Sequence, residues 1–229
     1  MTSRFPRWLA GTVLERYVLH FETLIERAVD RFAQDLPAGS LVLDAGCGEG
    51  RYAGHFGRHR YVGVDLAVGD ASWDYTRVQA LADLAALPFA PESFDACLNI
   101  VTLEHVPEPS VALGEMGRVL KPGGRLLLAV PHEWEIHQAP HDYFRFTAYG
   151  VERLLVAAGF EDLRIAPAGG FFRLLSRRLL NSLRFFPAPL VPLAALFVAP
   201  PALLVPALDF LDRERVFTLG YICTARKSC

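Results

Sequence analysis

Apolar positions in the first third of the chain predict one amphipathic helix followed by two short strands. Between residues 12 and 35 they recur every three to four positions, with charged residues between them, as in a helix that buries one face. Pro37 and Gly39 interrupt this pattern. Continuous apolar runs follow at 41–43 and 61–64, and runs of this length are typical of buried strands.

The middle of the chain repeats the alternation of strand and helix. Residues 51–56 are expected to form the first crossover helix. Ser110 and Thr147 are natural N-cap residues before apolar periodic stretches, and Gly159 is suited to follow the end of the second stretch. Further strands are predicted at residues 93–100, 125–130, 161–167 and 216–226.

The pattern changes between the last two predicted strands. Residues 171–186 fit an amphipathic helix, with Arg173, Arg177 and Arg184 opposite its apolar face. From Phe185 to Leu208 there is no charged residue, but there are six prolines. This run is long enough to cross a bilayer. If the flanking strands join one sheet, however, both ends of the run lie on the same side, which excludes a single crossing.

Three interpretations of this insertion remain. The favoured one is peripheral membrane contact through residues 171–211, because residues 163–208 carry five arginines and no acid. The others are an apolar lid over a hydrophobic substrate and the interface of a homodimer.

One glycine-rich turn is the most informative motif in the chain. The first predicted strand runs into Asp44-Ala45-Gly46-Cys47-Gly48-Glu49-Gly50, and Asp65 ends the next strand, 21 residues after Asp44. Glycines let a backbone approach a ligand closely, and an acid about 20 residues after such a turn can hold a ribose hydroxyl. The motif therefore predicts a nucleotide-type cofactor site. Its G-x-G-x-G spacing fits a nicotinamide oxidoreductase poorly.

The turn resembles motif I of the class I S-adenosylmethionine (SAM) methyltransferases. A second stretch, Arg-Val-Leu-Lys-Pro-Gly-Gly at 118–124, also resembles this family, specifically the methyltransferase type 11 domain, and the matches cover residues 41–131. The resemblance implies an α/β fold with a Rossmann-like, doubly wound sheet of seven strands, mostly parallel with the last strand antiparallel. The implied layout is a single domain with the segments 1–37 (N-terminal helical cap), 38–167 (SAM-binding core and substrate loop), 168–215 (hydrophobic insertion) and 216–229 (last strand and tail).

The resemblance also implies SAM as cofactor and assigns roles to individual residues. Asp44 would lie near the methionine ammonium, Asp65 would hold the ribose, and Asp83 would accept from the adenine amino group. Simpler roles are a turn-stabilising acid for Asp44 and a helix-capping acid for Asp83. The full set of implied cofactor residues is Asp44, Gly46, Cys47, Gly48, Gly50, Asp65, Leu66, Asp83, Leu84 and Asn99.

Residues 131–147 should lie over the carboxyl edge of the sheet and contact the methyl acceptor. The run from Pro140 to Thr147 resembles a subgroup of bacterial type 11 methyltransferases. The candidate catalytic residues here are His132, His137, His141 and Tyr143, with a histidine as general base, whereas the simpler role is loop anchoring by an Asp142–Arg145 pair. The spacing of the three histidines matches no compact metal motif, so no metal is expected. His105 is expected to orient the loop.

Composition limits the partners. A net charge of −2 gives no field for nucleic acid, and four scattered cysteines favour a reduced, cytoplasmic setting, peripheral at the inner face of a membrane. The N-terminus has no continuous apolar stretch and is not expected to be a signal peptide. The sequence thus predicts methyl transfer from SAM to a small-molecule, glycan or lipid-linked acceptor. The alternative is a catalytically silent SAM-binding or membrane-docked scaffold.

Overall fold

A computed structural model of the chain describes residues 17–69 and 72–229. These residues fall into two compact units. The core unit comprises the described residues of 25–166 together with 221–229, and the apolar unit comprises 17–24 and 167–220. The start of the predicted first helix, residues 12–16, lies outside the described residues.

Seven strands form one mixed sheet in the order β3-β2-β1-β4-β5-β7-β6. The neighbours from β3 to β5 are parallel, and the last strands are antiparallel. This architecture confirms the predicted fold. The strands are β1 (Leu41–Ala45), β2 (Arg60–Asp65), β3 (Ala80–Leu81), β4 (Phe94–Ile100), β5 (Leu120–Pro131), β6 (Phe160–Pro167) and β7 (Gly220–Lys227).

Five α-helices of the described residues accompany the sheet: α1 (His20–Gln34), α2 (Pro109–Val119), α3 (Ala148–Ala157), α4 (Phe171–Ser182) and α5 (Val191–Leu204). Thr147 caps α3 as predicted, because its Oγ1 accepts from Gly150 N at 3.1 Å. Two local predictions were wrong. Residues 51–56 form only a short 3₁₀ turn at Ala53–Phe56, and α2 starts one residue before Ser110 with no side-chain cap.

The core is centred on β1, β4 and β5. Leu43, Cys97 and Leu128 are fully buried on these strands, as expected for parallel strands covered on both faces. Since β1 pairs in parallel with both β2 and β4, the carboxyl ends of these three strands meet at one edge. That edge is where open α/β sheets bind ligands.

In the apolar unit, α4 is held by acids rather than exposing a basic face. Asp209 Oδ1 accepts from Arg173 N at the helix N-terminus, where an acid is favourable. The buried Arg177 pairs with Glu22 at 2.9 Å, and Arg173 donates to the carbonyl of Tyr17. The predicted arginine face was therefore wrong for Arg173 and Arg177, while Arg184 is exposed.

Helix α5 presents four large apolar side chains to the surface, Leu193, Leu196, Phe197 and Leu204. Leu196 and Phe197 are 68% and 71% exposed. Residues 188–211 form one helical run that is long and apolar enough to cross a membrane, by length and composition alone. Proline 206 cannot donate to the carbonyl of Ala202, and the Ser176 hydroxyl donates to that carbonyl instead, at 2.5 Å.

Candidate functional site

The glycine turn after β1 adopts a backbone that requires glycine. Gly46, Gly48 and Gly50 all have positive φ, at 86°, 53° and 69°. A Cβ on Gly46 would overlap the side chain of Thr102, which follows β4. The Thr102 hydroxyl lies 3.0 Å from the Gly46 carbonyl oxygen, to which it donates, so the turn is fixed against the end of β4. The result is a narrow backbone cradle at the carboxyl edge of the sheet.

Asp44 is a buried acid at the base of this turn. Its Oδ2 accepts a 2.6 Å hydrogen bond from the Tyr61 hydroxyl. Burial raises the pKa of Asp44 from its ordinary 3.8 to about 7, the Tyr61 bond partly offsets this rise, and the charge of Asp65 adds to it. A cationic group beside Asp44 would favour its ionised form, which is the chemistry of a site for a ligand ammonium.

Asp65 acts on the turn itself. Its two oxygens accept from the backbone N–H groups of Gly48 and Ala67, each at 2.8 Å. A carboxylate oxygen can accept more than one hydrogen bond, so these contacts leave capacity for a ribose hydroxyl. Leu66, the next residue, is half exposed and available to a ligand.

Cys47 and Asp83 have local structural partners. Burial, followed by the charges of Asp44 and Asp65, raises the pKa of the Cys47 thiol to about 12, which excludes a thiolate at neutral pH. Asp83 accepts from Ala85 N at 2.9 Å and so stabilises a turn, since no helix follows it, and the following Leu84 is buried.

Asn99 carries an unpaired polar atom at the same edge. Its side chain is fully buried on β4, and its Nδ2 donates to the Ala45 carbonyl at 2.7 Å. Its Oδ1 has no hydrogen-bond partner among the described residues. A buried acceptor without a donor is rare and calls for a ligand or water. Asn99 Oδ1, Asp44 and Asp65 are hydrogen-bond acceptors beside the glycine turn. This set of acceptors fits a ligand with an ammonium group and a ribose, as SAM has.

A second group of polar residues lies just beyond Thr102, at the end of β4. His105 Nε2 and His137 Nε2 are 3.0 Å apart, and they lie 3.7 and 3.6 Å from Glu104 Oε1. Glu104 is fully buried, and neither of its carboxyl oxygens has a hydrogen-bond partner in the described part of the chain. We call Glu104, His105 and His137 the histidine cluster.

The two histidines of this cluster differ in their pKa. Burial lowers the pKa of His105, and nearby carboxyl groups offset this only in part. Burial also opposes protonation of His137, but the Glu104 carboxylate 3.6 Å away, the bond to the Glu135 carbonyl and the charge of Asp142 leave its pKa raised.

The loop 131–147 is fixed by one arginine. Arg145 forms a two-pronged ion pair with Asp142, at 2.7 and 2.8 Å, and its Nη2 donates to the Glu135 carbonyl at 2.8 Å. Hydrogen bonding to Arg145 lowers the pKa of Asp142 to about 2, because this effect is larger than the opposing effect of burial. The predicted Asp142–Arg145 pair is therefore present. In addition, His105 Nδ1 donates to the His141 carbonyl and holds the loop.

The predicted catalytic residues do not converge on one point. His132 is bonded to the Phe146 carbonyl at 2.9 Å, and His141 contacts the Tyr143 hydroxyl at 3.1 Å. Of these four residues, only His137 belongs to the histidine cluster. Sequence reasoning missed Glu104 as a site residue. The signal available was its position directly after β4, at the edge where ligands collect.

Trp73 and Tyr61 were also missed. The Trp73 ring would lie 3.4 Å from a Cβ on Gly48, so it lines the outer side of the glycine turn. Tyr61 lies on β2 and reaches Asp44 across the strand pair. No motif spacing pointed to either residue.

Comparisons with known proteins agree with this site. The methyltransferase domain family matches residues 43–128. The chain is 36% identical over 107 residues to a tRNA (carboxymethyluridine(34)-5-O)-methyltransferase of Arabidopsis thaliana, covering 44% of this chain but only 26% of that protein. The match thus comprises about a quarter of that relative's length.

Two solved structures are similar over more of the chain. The [4+2]-cyclase SpnF has a TM-score of 0.56 and 26% identity, over 89% of this chain and 80% of that protein. A SAM-dependent methyltransferase of Thermotoga maritima, described as a possible histamine N-methyltransferase, has a TM-score of 0.51 and 26% identity, over 66% of this chain and 77% of that one. Residues 43–128 therefore match a methyltransferase domain, and the cofactor of the site is S-adenosylmethionine.

Proposed function

We propose that this protein transfers a methyl group from SAM to a lipid-linked acceptor while bound peripherally to a membrane. The observation that carries the proposal is the exposed apolar surface of residues 188–211 in a chain that also has a SAM-type cradle. When bound, SAM supplies an electrophilic methyl group on a sulfonium. The proposal therefore has two parts, a donor site in the core unit and a membrane contact in the apolar unit.

On the donor side, two charged parts of the site suit two parts of the cofactor. Asp44 would accept from the ammonium and Asp65 from the ribose, whereas the N–H groups of Gly46, Cys47, Gly48 and Gly50 already donate within the protein. Asn99 Oδ1 is a buried acceptor that lacks a donor among the described residues. Asp83 and Leu84 would serve the adenine, whose amino edge needs one acceptor beside an apolar slot.

The apolar unit exposes many large hydrophobic side chains. Large apolar side chains that are more than half exposed recur from the end of α4 to β7. They are Phe185, Leu193, Leu196, Phe197, Leu204, Phe210, Leu211 and Val216. An open apolar depression of about 470 Å³ also lies on α5, lined by Ala195, Leu196, Ala199, Pro200, Leu203 and Leu204. A depression of this kind suits an acyl or prenyl chain.

Charge contributes little to the proposed contact. Arg173 and Arg177 are bonded within the apolar unit, so the basic face expected to meet lipid headgroups is mostly used for packing. Burial of apolar side chains is therefore the main driving force, and it is not screened by salt. Binding to vesicles should depend weakly on ionic strength and on anionic lipid.

Vesicle flotation tests the membrane part. We expect the full chain to float with neutral phosphatidylcholine vesicles at low and at high salt. A double variant, Leu196→Ser with Phe197→Ser, should remain in the soluble fraction. The matched control, Tyr149→Ser with Val156→Ser, removes exposed apolar side chains from α3 and should float like the wild type. A wild-type chain that stays soluble would remove the membrane proposal.

A labelling experiment tests the acceptor. Protein is incubated with methyl-labelled SAM and either vesicles of a bacterial polar-lipid extract or total tRNA, since a relative that matches the core is named a tRNA methyltransferase. We expect label in the organic phase. Label in tRNA would overturn the lipid proposal, and SAM binding without transfer to either would support the catalytically silent alternative. The similarity to a protein named a cyclase makes that outcome worth measuring.

A further inference from the structure

We propose that Glu104, His105 and His137 bind a divalent transition-metal ion. The inference rests first on the geometry of their donor atoms. The two Nε2 atoms and Glu104 Oε1 are separated by 3.0, 3.6 and 3.7 Å. Donors that each lie about 2.0–2.2 Å from one ion are separated from one another by roughly 3–4 Å. All three ligand atoms lie within 4.8 Å of one another.

The hydrogen bonds of the histidines fix which ring nitrogens face inward. His105 Nδ1 is 2.5 Å from the His141 carbonyl oxygen, and His137 Nδ1 is 3.1 Å from the Glu135 carbonyl oxygen. A carbonyl only accepts, so both Nδ1 atoms carry hydrogen. In the neutral tautomers the two Nε2 lone pairs therefore face each other and Glu104 Oε1. Three electron-rich atoms at these distances repel one another unless a proton or a metal ion lies among them.

The outer contacts match those of metal-bound histidines. Asp142 Oδ2 lies 3.6 Å from His137 Nδ1, and Asp142 Oδ1 lies 3.9 Å from His105 Nδ1. A histidine ligand usually directs its second nitrogen to a carboxylate or a carbonyl, which sets the tautomer and the ring orientation. Both histidines of the cluster have such partners, and Arg145 holds Asp142 in place.

The second independent observation is the unpaired carboxyl group. Glu104 is completely buried, and both of its side-chain oxygens lack a hydrogen-bond partner among the described residues. Burying a carboxyl group without a partner is costly, so such a group points to a missing ligand. Two imidazoles and one carboxylate favour Zn²⁺, Mn²⁺ or Fe²⁺ over Mg²⁺, which prefers oxygen ligands throughout.

The location of the cluster suggests the acceptor atom, an extension that rests on the proposed function. Glu104 follows two residues after Thr102, whose hydroxyl donates to the carbonyl of Gly46 in the donor turn. Three protein ligands leave coordination positions open for a substrate. A metal ion lowers the pKa of a bound hydroxyl, whose proton then passes to water. The acceptor is therefore expected to present an oxygen.

Metal binding is tested directly by calorimetry. The full chain, stripped with EDTA, is titrated with ZnCl₂, and CoCl₂ is used in parallel for its absorption spectrum. We expect one ion per chain, bound in the micromolar range or tighter, with a Co²⁺ spectrum typical of nitrogen and oxygen ligands. Glu104→Gln and His137→Ala should each weaken metal binding by about 10–100-fold or more. This is the loss typical for a residue that only contacts a metal ligand, and a ligand itself should matter at least as much. His132→Gln, in the same loop but outside the cluster, should bind like the wild type.

Thermal unfolding distinguishes a variant that has lost the metal site from a variant that does not fold. Zn²⁺ should raise the Tm of the wild type and of His132→Gln but not that of Glu104→Gln. Circular dichroism and SAM titration verify that each variant is folded. Absence of stoichiometric binding, or binding that persists unchanged in both cluster variants, would overturn the metal site.

The same samples separate this inference from the proposed function. Stripped protein should still bind SAM and float with vesicles but lose transfer to the lipid extract, and Zn²⁺ or Mn²⁺ should restore it. Transfer that is indifferent to metal removal would overturn the oxygen-acceptor extension. If the protein binds metal but never labels lipid, the proposed function fails and the metal site stands. If the protein labels lipid without binding metal, the metal site fails and the proposed function stands.

Discussion

At the scale of single residues, the donor site depends on backbone conformations that few residues tolerate. Gly46 combines a φ of 86° with a neighbour, Thr102, that fills the space where a side chain would be. Gly39 has a similar φ of 82°, but a Cβ there would meet nothing within 4 Å. The two positions therefore separate the cost of backbone strain from the cost of overlap.

Gly39→Ala and Gly46→Ala form a matched pair for the glycine turn. Gly39→Ala should lower the free energy of unfolding by about 1–2 kcal/mol, the cost of a left-handed residue with a Cβ, and leave SAM affinity unchanged. Gly46→Ala should cost more and weaken SAM binding at least tenfold, because the turn must move away from Thr102. Urea unfolding and calorimetry measure both effects. Equal effects of the two substitutions would contradict the role assigned to Thr102.

At the scale of elements, the loop 131–147 is held by few side chains. Arg145 bonds Asp142 with two nitrogens and also reaches backbone carbonyls of the same loop. The loop in turn meets the end of β4, where Tyr143 N donates to the Glu104 carbonyl at 2.9 Å. Strand and loop are thus joined at the histidine cluster.

Arg145→Lys tests this fixation while keeping the charge. Lysine cannot form a planar, two-pronged contact, so the loop should lose order. We expect faster hydrogen exchange in residues 131–147 and a loss of methyl transfer of at least tenfold, with SAM affinity within twofold of the wild type. Arg153→Lys, on α3 outside the loop, is the control. Unchanged exchange in the loop would show that Arg145 does not hold it.

At the scale of the whole molecule, one buried carboxyl group couples folding to pH. Burial, offset in part by the Tyr61 bond, raises the pKa of Asp44 from 3.8 to about 7. The folded protein therefore holds this proton more tightly than the unfolded chain does. The contribution of Asp44 to stability is fully present below about pH 4 and is lost as the pH rises to about 7.

Asp44→Asn should remove this dependence. The loss in the wild type is at most about 4 kcal/mol, since each pKa unit corresponds to about 1.4 kcal/mol. Without cofactor, the variant should gain free energy of unfolding relative to the wild type as the pH rises from 4.5 to 8. Urea titrations of both proteins at each pH isolate Asp44, because other groups titrate in both. A difference that does not change with pH would refute the assignment. The variant should also bind SAM more weakly at pH 8.

Local patterns accounted for the order of the elements and the donor site. Hydrophobic periodicity placed most strands within a few residues, and Thr147 was recognisable as a cap because capping depends on neighbours in sequence. The crossover helix at 51–56 and the cap at Ser110 were wrong. The segment 51–56 is too short for a stable helix, whereas at Ser110 the helix formed but begins one residue earlier, with Pro109 at its first position.

The sequence by itself determined the glycine turn, because the turn is specified by residues close together along the chain, and the family that this motif resembles implied the sheet. Only the tertiary structure decided the histidine cluster, since His105 and His137 are 32 residues apart and meet through the path of the loop. It also decided that Arg177 pairs with Glu22, 155 residues away, instead of facing outward. Whether a side chain is buried, and whether it has a hydrogen-bond or ion-pair partner, depends on which distant residues pack together, so these properties are decided only in the folded chain.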